Sequence, residues 1–344
     1  MPCALITGGS GFFGSILIDQ LLNNGWYCIN LDLLPRDKTH VSLISYEGDI
    51  RDINDIEKCF INRKIDVVFH CAALLAHGSI KTKDLHSTNV LGTELLARIS
   101  EKNFVKKFVY ISSNCLWGEP KEGSITEEET PSPCEAYGES KLQGEEVLNK
   151  FTSLDSIIFR VPTLIDEGRL GLLGLLFDFI ADNKKIWVVG NGNNKYQFLY
   201  AKDLVDACLK SFSFKGGGIF NVGSDNVKTL KEVYQYVVNN CESSSKIKRL
   251  PKKLTILAMK LFYYIGYSPL GPYHWRMIAE SFSFDTSKIK KEMNWKPTLT
   301  NEEILLKAYN YYINNREEIR NRENVSAHNT VTKAGIIRML KFIS

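Results

Sequence analysis

Short β-branched runs alternate with helix-length amphipathic stretches through the first half of the chain, the pattern of βαβ units and a parallel sheet. The pattern predicts strands over 4–7, 28–32, 43–46, 67–71, 108–111 and 156–160, and helices near 12–23, 53–61, 85–102 and 136–151. After Arg160 the alternation loosens through Gly171 to Asp182 and the turn Gly190-Asn191-Gly192-Asn193-Asn194. An aromatic strand over 197–200, a helix from Lys202 and a strand over 219–222 return the chain to the sheet, and the rest reads as helical and more basic. The expected class is α/β, a doubly wound parallel sheet with a smaller, mostly helical second domain. Residues 1–167 and about 198–226 are assigned to the sheet domain, about 168–197 and 227–314 to the smaller one, and 315–344 to a linker and tail.

Composition narrows the class. A chain of 344 residues with 44% hydrophobic content buries a substantial core, as two domains or one large one. Basic and acidic residues number 43 and 39, and the resulting +4 is too mild to argue for nucleic acid. The eight cysteines lack CxxC spacing and several lie in apolar runs, which reads as a reducing cytosol, with no metal site expected. The N-terminus enters strand-like sequence at once, so no signal peptide is expected. No run reaches the ~18 apolar residues of a membrane span.

The candidate chemistry starts at Thr7-Gly8-Gly9-Ser10-Gly11-Phe12-Phe13-Gly14. A dinucleotide needs its pyrophosphate near the N–H groups of a helix N-terminus, and side chains would block that approach. Gly8, Gly11 and Gly14 supply the clearance, Phe12 and Phe13 open the helix, and the residues from Gly9 to Gly14 match GxGxxG. Asp32 ends the next strand, where a carboxylate accepts from ribose hydroxyls and repels a 2′-phosphate, so NAD is favoured. Arg36, close behind, leaves NADP open. About a hundred residues later Tyr137 and Lys141 stand one helical turn apart, preceded by Ser112 and Ser113. Oxidising a carbinol needs a base beside the nicotinamide. A phenol with pKa near 10 needs help to serve, and a neighbouring ammonium that lowered it by ~3 units would contribute about 4 kcal/mol. Ser113 is placed to hold the substrate oxygen.

With these residues in view, the chain resembles the extended short-chain dehydrogenase/reductase family, which includes nucleotide-sugar epimerases and dehydratases. The resemblance covers roughly 3–314 and rests on the glycine loop, Gly48-Asp49-Ile50-Arg51-Asp52, His70-Cys71-Ala72-Ala73, Asn89-Val90-Leu91-Gly92-Thr93, Tyr110-Ile111-Ser112-Ser113, Tyr137-Gly138-Glu139-Ser140-Lys141 and Phe284-Asp285-Thr286-Ser287-Lys288. It implies that Asp49 and Ile50 border the adenine, that Ala72 and Ala73 lie along the coenzyme, and that Asn89 supports the site. Tyr137 is implied as general acid/base, Lys141 as its tuner and ribose ligand, and Ser113, five residues before Gly118, as the catalytic serine.

Departures from the family pattern bear on the reaction. Asn114 and Cys115 stand where dehydratases carry an acidic pair, so dehydration is disfavoured. Cys115 resembles the thiol of 3,5-epimerases, but the second acid/base is missing, and packing is its alternative. Thr163 replaces a usual Asn and Tyr196 a usual Arg, while Arg169, Lys195 and Arg276 are the cations left for a diphosphate. The expected function is an NAD-dependent epimerase or dehydrogenase acting on a nucleotide-sugar hydroxyl in surface-polysaccharide synthesis, a cytoplasmic homodimer pairing through the helices at 85–102 and 136–151. Alternatives are a 3β-hydroxysteroid-like dehydrogenase on an apolar alcohol and a non-catalytic dinucleotide sensor. The apolar run 254–265 reads as a helix covering the core or a dimer partner, or as lining for a greasy substrate. Residues 333–344 form a short basic amphipathic tail fit for weak contact with the inner face of a membrane or for docking on the enzyme itself.

Overall fold

A computed structural model describes residues 1–34, 36, 38–75, 80–118, 123–265 and 271–321. The tail at 333–344 lies outside the described residues. The strands are β1 (Cys3–Thr7), β2 (Tyr27–Asp32), β3 (Leu43–Glu47), β4 (Val67–His70), β5 (Lys107–Ile111), β6 (Asp155–Arg160), β7 (Thr163–Ile165), β8 (Ile186–Val189), β9 (Phe198–Tyr200), β10 (Gly218–Asn221) and β11 (Ile247–Leu250). The helices are α1 (Phe12–Asn23), α2 (Ile53–Phe60), α3 (Thr82–His86), α4 (Thr93–Lys102), α5 (Ala136–Leu148), α6 (Leu172–Ala181) and α7 (Ala201–Ser213). They continue as α8 (Leu230–Asn239), α9 (Lys252–Tyr264), α10 (Pro272–Ala279), α11 (Ser287–Met293), α12 (Asn301–Asn314) and α13 (Arg316–Asn321). Among the described residues no helix is long and apolar enough to cross a membrane.

Seven strands form one all-parallel sheet in the order β10-β6-β5-β4-β1-β2-β3. The order reverses between β1 and β4, and in such sheets ligands bind beyond the carboxyl ends of the strands at that point. Alternation along each strand separates two cores. Ala4, Ile6, Val67, Phe69, Ile157 and Phe159 pack with α1 and α7 on one face. Leu5, Val68, Phe108, Tyr110 and Ile158 pack with α2 and α4 on the other. A third cluster gathers α6, α8, α12, β8 and β9 around Phe177, Val233, Ile304 and Tyr312.

Several expectations change. Ile289, Met293 and Trp295, within the stretch assigned to the second domain, join the first sheet core. The Trp295 indole N–H donates to Asp203 O at 2.8 Å. Residues 316–321, assigned to a polar linker, form α13 because Arg316 is drawn onto Asp178 and Asp182 at 2.7 and 2.6 Å. The helix predicted over 85–102 is interrupted by a π-helical turn at Ser87–Gly92. The apolar run does form α9, but α9 has no buried residue. Its apolar side chains are more numerous than its packing against α10 can cover, and the remainder face outward.

Candidate active site

β1 delivers Thr7 to the switch point, and the chain turns there through Gly8, whose N–H donates to Leu31 O at 2.9 Å. Gly8 has φ +72°, and a Cβ on it would stand 2.7 Å from the Ala72 backbone. A Cβ on Gly14 would lie 2.2 Å from Gly8 O. The loop is thus held against β4 at a spacing only glycine permits. Gly11 caps α1 without a side-chain hydrogen bond, so the amides of the first turn, at Phe12 to Gly14, keep their donors for an anion. The Asp32 carboxylate accepts from Ser10 N–H at 2.9 Å and Leu34 N–H at 3.1 Å, which holds it beside the loop. Arg36 is ion-paired to Asp19 at 2.5 Å, with its side chain buried. Asp49 is likewise paired, to Arg51, whose hydrogen bonds hold its carboxyl below the usual range. Ile50 is buried against Gly92. Ala72 N–H donates to Thr7 Oγ1 at 3.4 Å, and Ala73 is exposed. Asn89, in the π-helical turn, accepts from Leu74 N–H at 2.8 Å and donates to Leu74 O at 2.9 Å and Ser140 Oγ at 3.0 Å. It therefore fixes the segment after Ala72 and Ala73 to the helix that carries Tyr137.

His70 lies under this floor, with Nδ1 2.7 Å from Thr7 Oγ1 and Nε2 2.9 Å from Thr93 Oγ1. Burial, with a smaller push from Lys141, takes its pKa down to about 3. Unfolding exposes a ring with an ordinary pKa near 6.5, so below pH 6.5 the unfolded chain binds the extra proton and stability falls as pH drops towards 3. The loss amounts to about 2 kcal/mol at pH 5. Thermal melts from pH 7 to pH 5 should therefore depress the midpoint of the native chain by a few degrees more than that of His70→Gln. Parallel curves would remove the ring from the account.

Ser113 stands just past β5, where its Oγ accepts from Cys115 N–H at 3.1 Å. α5 can lie this close because Gly138 faces Cys115 O and Gly144 faces the Tyr110 hydroxyl, where added Cβ atoms would sit 2.1 and 2.3 Å away. Tyr137 and Lys141 ride on that helix. Ser113 hydrogen-bonds Tyr137, which favours the phenolate, and Arg169 pulls the same way. Burial and the Cys115 thiol outweigh both, so the phenol is pushed up, not down. The expectation that Lys141 does the lowering is therefore corrected: its Nζ lies 3.9 Å from the centroid of the Tyr110 ring. Burial pushes the Lys141 ammonium down to about 7, against the opposing charge of Glu145. Helical spacing puts the two side chains on one face, but the long lysine arm turns inward towards the sheet.

Beneath them is a group that sequence reasoning missed. Glu145 and Arg160 form an ion pair at 2.7 Å with both side chains 4% exposed. Ser112 Oγ donates to Glu145 at 2.5 Å, so Ser112 is a link in this network. Glu145 follows Lys141 by one further helical turn, the only signal the sequence offered.

Past the Ser113 turn a cleft is lined by Asn114, Cys115, Trp117, Tyr196 and Arg276, among others. The Asn114 amide donates to the Tyr196 hydroxyl at 2.7 Å, and Thr163 Oγ1 lies 3.5 Å from the same oxygen. Burial pushes the Cys115 thiol up to about 12, which suits packing and not proton exchange. Arg276 reaches the cleft beside Cys134. Arg169 sits over the Phe12 ring at 5.4 Å, between the glycine loop and Tyr137. Lys195 is exposed on a short bridge to Thr229 and is not among the residues lining the cleft.

Residues 4–223 match the NAD dependent epimerase/dehydratase family. Over 343 residues, 98% of this chain and 85% of its relative, the sequence is 37% identical to the uncharacterized protein y4nG of Sinorhizobium fredii. It is 28% identical to a putative UDP-glucose 4-epimerase of Methanocaldococcus jannaschii, covering 68% of this chain and 80% of that one. Among solved structures, the Bordetella bronchiseptica enzyme WbmG in complex with NAD superposes with a TM-score of 0.75 at 22% identity, over 91% and 94% of the two chains. The UDP-glucose 4-epimerase of Thermotoga maritima with UDP-glucose gives 0.73 at 23%, over 91% and 99%.

Proposed function

The chain belongs to the NAD-dependent epimerase/dehydratase family, and from that premise we propose that it is an NAD-dependent epimerase or dehydrogenase acting on a hydroxyl of a nucleotide sugar. The observation that carries the reading is the Ser113–Tyr137 hydrogen bond standing beside the glycine loop, with Lys141 one turn further along α5. The loop fits a dinucleotide, since its glycines leave no room for side chains and α1 begins uncapped. Asp32 beside it, and Arg36 committed to Asp19, support NAD over NADP. Asp49, Ile50, Ala72, Ala73 and Asn89 form the remaining wall.

Bound there, NAD supplies the hydride acceptor. Tyr137 takes the hydroxyl proton as the carbinol is oxidised and returns it when the carbonyl is reduced. Ser113 holds the same substrate oxygen and, by donating to the phenol, favours its anionic form. Arg169 adds positive charge on the same side. Lys141, buried and with its pKa brought down to about 7, is the amine available to a ribose hydroxyl. Asn114 and Cys115, respectively bound to Tyr196 and held neutral, do not offer the acid pair that dehydration needs. Arg276 in the cleft is the cation suited to a diphosphate, and Lys195 contributes nothing there. α9 lies outside the cleft lining, which removes the main support for an apolar alcohol as substrate.

A role in surface-polysaccharide assembly, and a cytoplasmic homodimer pairing through α4 and α5, belong to the same proposal. None of the eight cysteines is in a disulfide, in keeping with a reducing compartment. Purified protein incubated with NAD and UDP- or dTDP-sugars tests the activity. Inversion of the sugar without net reduced nicotinamide identifies an epimerase, and net reduced nicotinamide identifies a dehydrogenase. Tight NAD binding with neither product would overturn the reading in favour of a dinucleotide sensor.

A further inference from the structure

α9 carries an apolar stripe that no described element covers. Leu254, Leu257, Leu261, Tyr264 and Ile265 are between 53% and 77% exposed. At helical spacing they fall within roughly 100° of arc, while Ile256, Met259 and Phe262 on the opposite side are partly covered. Tyr263 and Lys260 engage Trp275 of α10, which fastens the helix to the body of the protein. The charge around the stripe is of one sign. From residue 246 to residue 265 there are six cations and no acid. Lys252 is paired with Glu280. Lys246, Lys248, Arg249, Lys253 and Lys260 are exposed and make no ion pair among the described residues. Lys253 and Lys260 border the stripe, and Lys248 and Arg249 sit on β11 just before it.

An exposed apolar arc with a purely basic border is the composition of a helix lying in the plane of an anionic bilayer. Thirteen residues make about 20 Å of helix, too short to span a hydrocarbon layer of about 30 Å and long enough to lie on it. We propose that α9 docks this protein on an anionic phospholipid surface, with the leucines and Tyr264 in the acyl boundary and the lysines among the headgroups. α10 lies between α9 and the cleft and carries Arg276 into it, so a docked protein would have one wall of its cleft a single helix away from the lipid. This inference does not depend on which sugar or which reaction the site serves.

Flotation of the full chain with vesicles of phosphatidylcholine, with and without phosphatidylglycerol, tests it. The protein should float with the anionic vesicles, and binding should drop about tenfold or more without phosphatidylglycerol or at high salt. Leu257→Glu with Leu261→Glu should abolish flotation while leaving the thermal midpoint and NAD binding unchanged. Lys248→Glu with Lys253→Glu should remove the preference for anionic lipid, and a chain lacking residues 333–344 should still float. The proposal is overturned if the intact chain stays in solution, or if the double-glutamate variant floats like it. It is equally overturned if deleting 333–344 alone abolishes flotation, or if the leucine substitutions change only the oligomeric state in sedimentation, which would assign the stripe to the tail or to a second copy.

Discussion

Tyr137→Phe is expected to lower turnover roughly 10²- to 10⁴-fold while NAD affinity stays within a few-fold of the native value. The substitution removes one oxygen and keeps the ring, so the packing of α5 on the 114–116 turn survives. What disappears is the hydroxyl to which we assign the proton transfer, together with the partner of the Ser113 hydroxyl. Ser113→Ala should cost less, because water can replace an orienting hydroxyl but not a positioned proton carrier. Single-turnover rates of carbonyl reduction and NAD titrations separate the two effects. A phenylalanine variant that turns over within threefold of the native enzyme would strip Tyr137 of its role.

The second large effect is on stability. Glu145→Leu leaves the Arg160 guanidinium buried without its anion and Ser112 without its acceptor. Breaking a buried pair by removing one member costs about 3–5 kcal/mol, a large part of the 5–15 kcal/mol that typically holds a native protein together. Denaturant unfolding should register that loss. Replacing both members, Glu145→Leu with Arg160→Met, should recover most of it, because the uncompensated charge is then gone. Turnover should not recover with it. Glu145 is the leading influence raising the Lys141 pKa, and without it burial drives the amine further towards its neutral form. A single variant as stable as the native chain, or a double variant fully active, would contradict this account.

Much of this molecule is legible in its sequence because the informative patterns are local. Short apolar runs at 4–7, 28–32 and 156–160 mark strands buried on both faces, and the structure places them in one parallel sheet. The glycine loop and the YxxxK spacing are also local, since each motif is read within one turn and one helix. What escapes is whatever depends on a partner far along the chain. Nothing near Arg36 says that Asp19 will claim it, and nothing near Glu145 names Arg160. Lys141 illustrates the limit well. Its distance in sequence from Tyr137 is right for a pair, yet the ring beneath its amine belongs to Tyr110 on β5. α9 shows the same limit on the surface: periodicity tells which side chains are apolar, but not whether anything has been built to cover them.

Trp295 has a consequence for how this protein is made. Its indole is fully buried in the core beneath β1 and α7, and the neighbouring Thr298 donates through both N–H and Oγ1 to Asp203. A nascent chain that has already emitted all seven strands of the sheet still lacks this plug. The crevice around Asp203 stays open until residue 298 has cleared the ribosome tunnel, leaving apolar surface exposed for the time it takes to translate some of the last segments. A chain truncated before residue 295 should therefore be cut faster by added protease than the full chain, since one late tryptophan is threaded back to finish an early core.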